Sequence, residues 1–387
     1  MRILAVVNTP WDPRLGAARV WIELAEEWTR AGHTVEKYCL TDAFPVPVSS
    51  SRISALRLTW FPFCAARFVR RNAQRFEVID ALAGTLVFSK KSLRFNGLLV
   101  ARSVGLYHLY QRFERAAVRR WPSSSKGRVL GRMFYGLFFK GMHAATHASI
   151  RHCDLLNLPN PDELRYFRDE IGSSRPAIVQ PYGLAPARRE ALLAAAAPAE
   201  SRRREKRVCF LGMWSVRKGS KDWGQIIERI RARVPQARFR FLGTMVENCS
   251  VLADLNLGVP DFVEVVPQFE PDELPQLLSD CTVGAFPSYV EGFGLAVVEQ
   301  LAAGLPIVAY DAPGPRHILR ETLPKLLIPP GDIPAFSDAI IAILERDSES
   351  YRDICQRSVE TARPFSWPRI ARDTVEEYRL RLPESHE

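Results

Sequence analysis

Paired cysteines, long apolar runs and metal-ligand clusters are missing from this chain. Its seven cysteines, at 39, 64, 153, 209, 249, 281 and 355, are odd in number, dispersed and never spaced C-x-x-C. That argues against a disulfide framework or a cysteine zinc site and for reduced thiols in a cytoplasm. No stretch approaches the roughly 18 uninterrupted apolar residues of a membrane-spanning helix. The first residues form a strand pattern, not the charged stretch and apolar run of a secretory signal. A soluble or peripheral cytoplasmic protein is expected. No Asp-x-Asp pair stands at a strand end and no His/Cys cluster has ligand spacing, so neither a metal nor another cofactor is implied. Zinc-finger and RNP motifs are lacking too, and no nucleic-acid partner is expected.

Acidic residues are scarce in one region. Residues 51–140 hold 18 Lys/Arg against 3 Asp/Glu, although the whole chain of 387 residues is only +10. The basic side chains are interleaved with Trp60, Phe61, Phe63, Phe68, Trp121, Phe134, Tyr135, Phe138 and Phe139. Basic residues mixed with aromatics can dock on an anionic membrane surface, with the rings at headgroup level. The same mixture can bind nucleic acid through phosphates and stacking. It also fits plain helices with an aromatic core face and a solvated arginine face. The first reading is the one that a lipid-linked or surface-glycan acceptor would need.

What is present is an alternation of strand and helix patterns in a chain long enough for two cores. Ile3 to Val7 is an apolar strand, and Ala18 to Arg30 carries apolar residues at helical spacing until Gly32 breaks it. Val78–Asp80, Leu98–Arg102 and Asp154–Asn157 read as further strands. From Pro186 to Arg207 an alanine-rich helix and the run Ser-Arg-Arg-Arg-Glu-Lys-Arg form a polar passage with no core face. A new strand opens at Val208, and the alternation resumes with a helix from about Trp223 and strands at 239–243 and 262–266. The expected layout is a first domain over 1–185, a linker over 186–207 and a second domain over 208–365. Two βα arrays of this kind imply two doubly wound domains facing a cleft.

The most telling stretch is SYVEGFGLAVVEQLAAGLPIVAY. The apolar run Cys281–Phe286 reads as a buried strand, Leu295–Ala303 as a helix stopped by Gly304, and Leu305–Tyr310 as the next strand. Ligands bind at the strand's carboxyl end in such a βαβ unit. Glu291 falls in the glycine turn and Glu299 in the helix that follows, so both carboxylates can face one crevice. Carboxylates accept from vicinal hydroxyls, which suits a sugar-rich ligand. The glycines admit that ligand to the backbone, and a helix N-terminus favours an anion. Lys218, after a strand and a short loop, is a compact positive charge suited to a diphosphate.

The turn Glu291–Glu299 resembles the E-x7-E element of retaining glycosyltransferases of the GT-B class, family 4 type. Residues 1–7 with the loop 10–18 and Arg30–Val35 are similar to that family's opening strand, glycine loop, helix and second strand. Phe210–Gly219 resembles its donor-phosphate loop, and Pro329–Asp332 through Phe365–Trp367 resembles its closing segment. The resemblance implies an α/β fold of the GT-B type, two Rossmann-like domains facing a central cleft. It also implies that the last helix, about 366–387, crosses back to the first domain. By the same resemblance Glu299 takes the ribose hydroxyls of the nucleotide, Glu291 lies near the transferred sugar, and Lys218 holds the diphosphate. Phe293, Gly294 and Leu295 would offer backbone N–H groups, Gly16 and Ala17 would stand against phosphate or acceptor, and Gln268 and Phe269 would lie against the base.

Two positions depart from that pattern. Met213 stands where the family has an arginine, and Arg217 is the candidate to supply the missing guanidinium. Val104 replaces the first of two histidines in the segment 102–108, which leaves His108 as the catalytic candidate. His33 reads as a turn residue, and His317 either overhangs the donor pocket or is a loop residue. The expected activity is transfer of a sugar from a nucleotide-diphosphate donor to a glycan or lipid-linked acceptor, with retention and without a metal. The alternatives are a degenerate nucleotide-sugar-binding protein and a GT-B nucleotide-sugar epimerase.

Overall fold

The computed structural model describes residues 1–105, 107–121, 129–257 and 260–382; for residues 51, 107, 129–135, 137 and 139 it describes the backbone course alone. The chain forms two compact units, one of residues 1–182 with 367–387 and one of residues 183–366.

The first unit is built on a six-stranded parallel sheet of β1 (Arg2–Val7), β2 (Thr34–Cys39), β3 (Val78–Leu82), β4 (Leu98–Arg102), β5 (Leu155–Leu158) and β6 (Ala177–Val179). Their order is β2-β1-β3-β4-β5-β6. β1 runs in register with β2 on one side and β3 on the other, Ala5 lying opposite both Lys37 and Asp80. A parallel sheet covered on both faces needs apolar strands throughout, and β3, β4 and β5 are buried along their whole length. The order in which strands are added reverses between β1 and β3, and such a switch point is where an open α/β sheet offers a crevice.

Helix Trp367–Arg379 belongs to this unit. It lies against helix Gly16–Arg30, where the Trp28 indole N–H donates to the Ala371 carbonyl at 3.3 Å. Thr374 donates to Gln180, which also receives the Asn157 amide. Tyr378 reaches a buried ion pair: Arg102 Nη2 donates to Asp80 Oδ2 at 2.8 Å, and the tyrosine hydroxyl donates to the same oxygen at 2.5 Å. Trp21 donates to the other Asp80 oxygen at 3.1 Å. Neither Asp80 nor Arg102 is exposed at all. A buried pair of this kind is tolerated only when its lone pairs and protons are largely satisfied.

The second unit carries β7 (Arg207–Leu211), β8 (Arg238–Leu242), β9 (Val263–Val266), β10 (Val283–Phe286), β11 (Ile307–Tyr310) and β12 (Leu327–Ile328). These too are parallel, in the order β12-β11-β10-β7-β8-β9. Its switch point therefore lies between β7 and β10. An aromatic cluster of Phe210, Trp214, Trp223 and Phe241 packs beside β7, with centroids 4.9–6.0 Å apart for the neighbouring rings.

The passage 186–207 is not a linker. It forms helices Pro186–Ala195 and Ala199–Glu205 inside the second unit, and only its final residue opens β7. Leu192 and Arg202 are buried. Arg202 Nη1 donates at 3.1 Å to the carbonyls of Ala303 and Gly304, at the end of helix Leu295–Ala302. A guanidinium that caps the last carbonyls of a helix replaces an apolar contact, so a polar sequence can still be interior.

Candidate functional site

The two loops that leave the carboxyl ends of β7 and β10 meet at the switch point of the second unit. The first runs from Gly212 through the short turn Val216–Lys218 to Gly219; the second runs from Pro287 to Gly294 and opens helix Leu295–Ala302. They are in direct backbone contact, with the Tyr289 N–H donating to the Arg217 carbonyl at 2.9 Å. Gly219 is held at φ +80°, and a Cβ there would overlap the Pro287 carbonyl oxygen. Only a glycine lets these loops approach so closely.

Lys218 forms an ion pair with Glu291. Its ammonium also lies 4.5 Å from the centroid of the Phe286 ring, at the end of β10. Burial pulls the lysine below its usual range and the neighbouring Arg217 adds to that, while Glu291 opposes it. Arg217 points to the same place: its Nη1 donates to the Val290 carbonyl at 3.0 Å and stands 3.9 Å from Glu291 Oε2. Two cations and one carboxylate thus converge on the switch point. Met213 is exposed to solvent on the same loop.

The glutamate turn is braced from behind. Helix Pro313–Leu319 crosses it so closely that a Cβ on Gly314 would overlap the Phe293 carbonyl, and the Gly314 N–H donates to the Glu291 carbonyl at 3.1 Å. The Phe293 ring is buried 5.5 Å from that of Phe365. Gly294 is the residue before the helix, and Leu295 is its first residue. The opening N–H groups of a helix have no intrahelical partner and favour negative charge.

Asp222 ties the two loops together from inside. Its Oδ2 accepts from Tyr289 at 2.6 Å and from Tyr310 at 2.8 Å, and its N–H donates to the Gly219 carbonyl at 2.9 Å. Burial and the adjacent Asp222 charge push the Tyr310 hydroxyl far up, so it stays a donor. Glu299 stands on helix Leu295–Ala302, almost wholly buried, with Arg188 Nη2 at 3.1 Å from Oε1. Gln268 is exposed just beyond the edge strand β9, and the Phe269 ring packs against Gly243. Arg188, Asp222 and Gly314 carry no signal in the sequence. Arg188 and Asp222 lack any motif spacing, and Gly314 sits in an ordinary-looking Pro-Gly-Pro.

In the first unit the strand ends enclose a cavity of about 180 Å³, lined among others by Asn8, Thr9, Ala17, Ser103, Val104 and Tyr110. Gly16 is the exposed first residue of its helix, where an added Cβ would meet nothing within 4 Å, and Ala17 is the residue that lines the cavity. Ser103 donates to the buried Glu163 at 2.7 Å and receives the Gly105 N–H, which fixes this rim. His108 does not line the cavity. It is buried, stacked face to face on Tyr166, and grouped with His143 and His147. Burial, then Arg112 and the two histidines, push its imidazole down to about 3. His33 hydrogen-bonds the amino terminus at 3.0 Å, as a turn residue. Among the described residues no group of three or more His, Cys, Asp or Glu side chains is placed to hold a metal ion.

The family described as Glycosyl transferases group 1 matches residues 195–361, which is less than half of the chain but includes both loops of the switch point. A D-inositol 3-phosphate glycosyltransferase of a Nocardioides species is 34% identical over 131 residues, covering 34% of this chain and 28% of that protein. The O-antigen chain mannosyltransferase B of Escherichia coli is 32% identical over 29% of each chain. An MMP alpha-(1->4)-mannosyltransferase of Mycolicibacterium hassiacum is 34% identical over 32% of this chain and 30% of its own length. The chain thus spans about three tenths of the length of these curated relatives. Solved structures match much further. Sucrose-phosphate synthase from Thermosynechococcus elongatus superposes with a TM-score of 0.73 over 98% of this chain and 99% of its own, at 21% identity. The Anabaena HepE protein in complex with UDP-glucose gives a TM-score of 0.67 over 98% and 100%, at 17% identity. The fold is that of the GT-B class, with two parallel-sheet Rossmann-like units.

Proposed function

We propose that this protein is a retaining glycosyltransferase that moves a sugar from a nucleoside-diphosphate donor to a glycan or lipid-linked acceptor, as in cell-surface polysaccharide or glycolipid synthesis. The observation that carries the reading is the convergence of Lys218, Arg217 and Glu291 at the switch point of the second unit. The names of the matched relatives and the UDP-glucose in a structural neighbour support a nucleotide-sugar donor.

In this reading the diphosphate takes Lys218 and Arg217 as its counter-charges and the helix N-terminus at Gly294 and Leu295 as its dipole. Glu291, released from part of its ion pair, accepts from hydroxyls of the transferred sugar, and Glu299 accepts from those of the ribose. The bond between the sugar's anomeric carbon and the diphosphate oxygen breaks as the acceptor oxygen bonds to the same face. The acceptor's proton passes to the departing diphosphate oxygen. The chain's own contribution is positioning and charge stabilisation, with no side-chain nucleophile. In the same reading Gln268 and Phe269 meet the base, and the acceptor enters at the cavity beside Ser103 and Val104 in the first unit.

The membrane reading gains a specific surface. On helix Ser51–Asn72, Ile53, Leu56, Trp60 and Phe63 are exposed and spaced three or four apart, hence on one face. Arg67, Arg70 and Arg71 are exposed on the following turns, and no Asp or Glu lies between Asp42 and Glu77. Phe61 is core, and Phe68 stacks on Tyr38 at 4.4 Å; the side chains of Phe134, Tyr135 and Phe139 lie outside the described residues. The acceptor would then be met at an anionic lipid surface. Among the described residues no helix is long and apolar enough to cross a membrane.

The deciding experiment is binding and single-turnover transfer measured across UDP-, GDP- and ADP-sugars. Retention of configuration in the product supports the reading, and release of an epimerised sugar without acceptor overturns it. A second reading, a nucleotide-sugar-binding protein without turnover, is favoured by the exposed Met213 and by Val104 in the cavity wall. Tight nucleotide binding with neither transfer nor hydrolysis would establish it. Flotation with phosphatidylglycerol vesicles against neutral phosphatidylcholine tests the surface helix; equal indifference to both removes it.

A further inference from the structure

Arg188 stands on helix Pro186–Ala195, in a stretch whose sequence looks like a solvated linker, yet its guanidinium is turned inward. Nη2 donates to Glu299 Oε1 at 3.1 Å, and Nη1 donates to the carbonyl of Pro271. The two charged side chains are only 12% and 7% exposed. Arg188 Nε is buried and has no hydrogen-bond partner among the described residues. A buried guanidinium left one donor short is an expensive way to hold a fold together, since apolar residues of similar volume serve stability as well or better. What the planar fork supplies, and an apolar contact does not, is geometry. It fixes the Glu299 carboxylate on helix Leu295–Ala302 relative to the turn Pro271–Glu273, which follows Gln268 and Phe269 beyond β9.

We infer that Arg188 is a positioning residue that orients Glu299 for the vicinal hydroxyls of a ribonucleotide, and so makes this site select ribose over a deoxy sugar. The inference rests on the reading of Glu299 as the ribose acceptor. An ionised carboxylate has about four acceptor directions, so one guanidinium and a pair of hydroxyls can share it. The guanidinium sets the plane of the carboxylate. Through the Pro271 carbonyl the same side chain couples that plane to the segment on which the base would rest. The ligand class is a ribonucleoside diphosphate whose 2′- and 3′-hydroxyls both point at Glu299.

The test is calorimetric titration of the full chain with UDP, GDP and ADP and with their 2′,3′-dideoxy forms. The wild-type protein should prefer the ribo form of its best nucleotide by about ten- to a hundred-fold, the worth of hydrogen bonds to a charged group. Arg188→Ala should bring that ratio to within about three-fold, largely through weaker binding of the ribo form. Arg188→Lys, which keeps the charge but not the fork, should fall between and guards against a misfolded alanine variant. In a Glu299→Ala background Arg188→Ala should change the ratio no further. If no nucleotide binds the wild-type protein, the donor reading itself fails. If nucleotides bind with a ribose preference that Arg188→Ala and Arg188→Lys leave intact, or if both forms weaken equally, Arg188 is structural only and the inference is overturned.

Discussion

Lys218 and Glu291 face each other across the junction of β7 and β10, one on the first loop beyond each strand, close enough to form an ion pair. The pairing puts an ammonium where an anionic ligand would compete with a carboxylate for it. Displacement of one by the other is then a natural first event of binding.

Lys218 should impose an alkaline limit on donor binding. Its folded value lies below the usual lysine range, chiefly through burial. If the charged form holds the diphosphate, as proposed, kcat/KM should fall as pH rises through that lowered value, earlier than for a solvent-exposed lysine. Lys218→Arg keeps its charge and should lose this limb, while Lys218→Ala should lower transfer about a hundred-fold or more at neutral pH. A pH–rate profile of the three proteins reads both effects. For stability the sign is opposite: the unfolded chain holds this proton to higher pH, so this group favours folding increasingly as pH rises between the two values.

Gly314→Ala should damage the site from behind. The added methyl would overlap the Phe293 carbonyl, which is backbone and cannot swing away. Overpacking of this kind costs about 1–3 kcal/mol, and here the turn carrying Glu291 must absorb the shift. Nucleotide affinity measured by titration should drop more than ten-fold.

Tyr289→Phe should loosen the junction of the two loops while leaving its volume filled. The hydroxyl donates to a buried carboxylate at 2.6 Å, a charge-assisted bond worth about 1.5–3 kcal/mol. Urea denaturation should register a loss of that order. Tyr310→Phe, which removes another donor to Asp222, should lose a similar amount.

His108 should not appear in the activity profile. Its folded value of about 3 keeps it neutral from pH 5 to 8, and it lies outside the cavity wall. His108→Phe preserves the stacking on Tyr166 and should change kcat little. The histidine should instead mark acid stability. The unfolded chain takes up this proton near the ordinary histidine value and the folded chain does not, so its contribution to stability is lost as pH falls from about 6.5 toward 3. Melting temperatures over that range should fall less steeply for His108→Phe.

The inner strands were legible because each is an apolar run: Ile3–Val7, Leu98–Arg102, Val208–Leu211, Cys281–Phe286 and Leu305–Tyr310 all announce themselves. β6 and β12 were not, since three and two residues at sheet edges form no run to recognise. The glutamate spacing and the lysine loop were readable because backbone geometry fixes where such residues fall after a strand. The passage 186–207 misled for a physical reason. Two of its arginines are interior because they reach backbone carbonyls or a carboxylate, as with Arg202 on Ala303 and Gly304 and Arg188 on Glu299. Hydropathy sees the charge and not the partner. The burial of His108 against Tyr166 was not legible either, since a histidine at a family position carries no sign of its packing.

The first unit is begun by residue 1 and completed by helix Trp367–Arg379, with the whole second unit inserted between. On a ribosome that helix emerges roughly 10–40 s after Tyr182, at ordinary elongation rates. During that interval Asp80 and Arg102 lack the Tyr378 hydroxyl, Trp28 lacks the Ala371 carbonyl, and one side of helix Gly16–Arg30 is bare. The second unit is continuous in sequence and can close as soon as residue 366 is out. The first unit's strands are therefore made well before that unit can be finished, and the nascent chain must shelter an incomplete core until helix Trp367–Arg379 arrives.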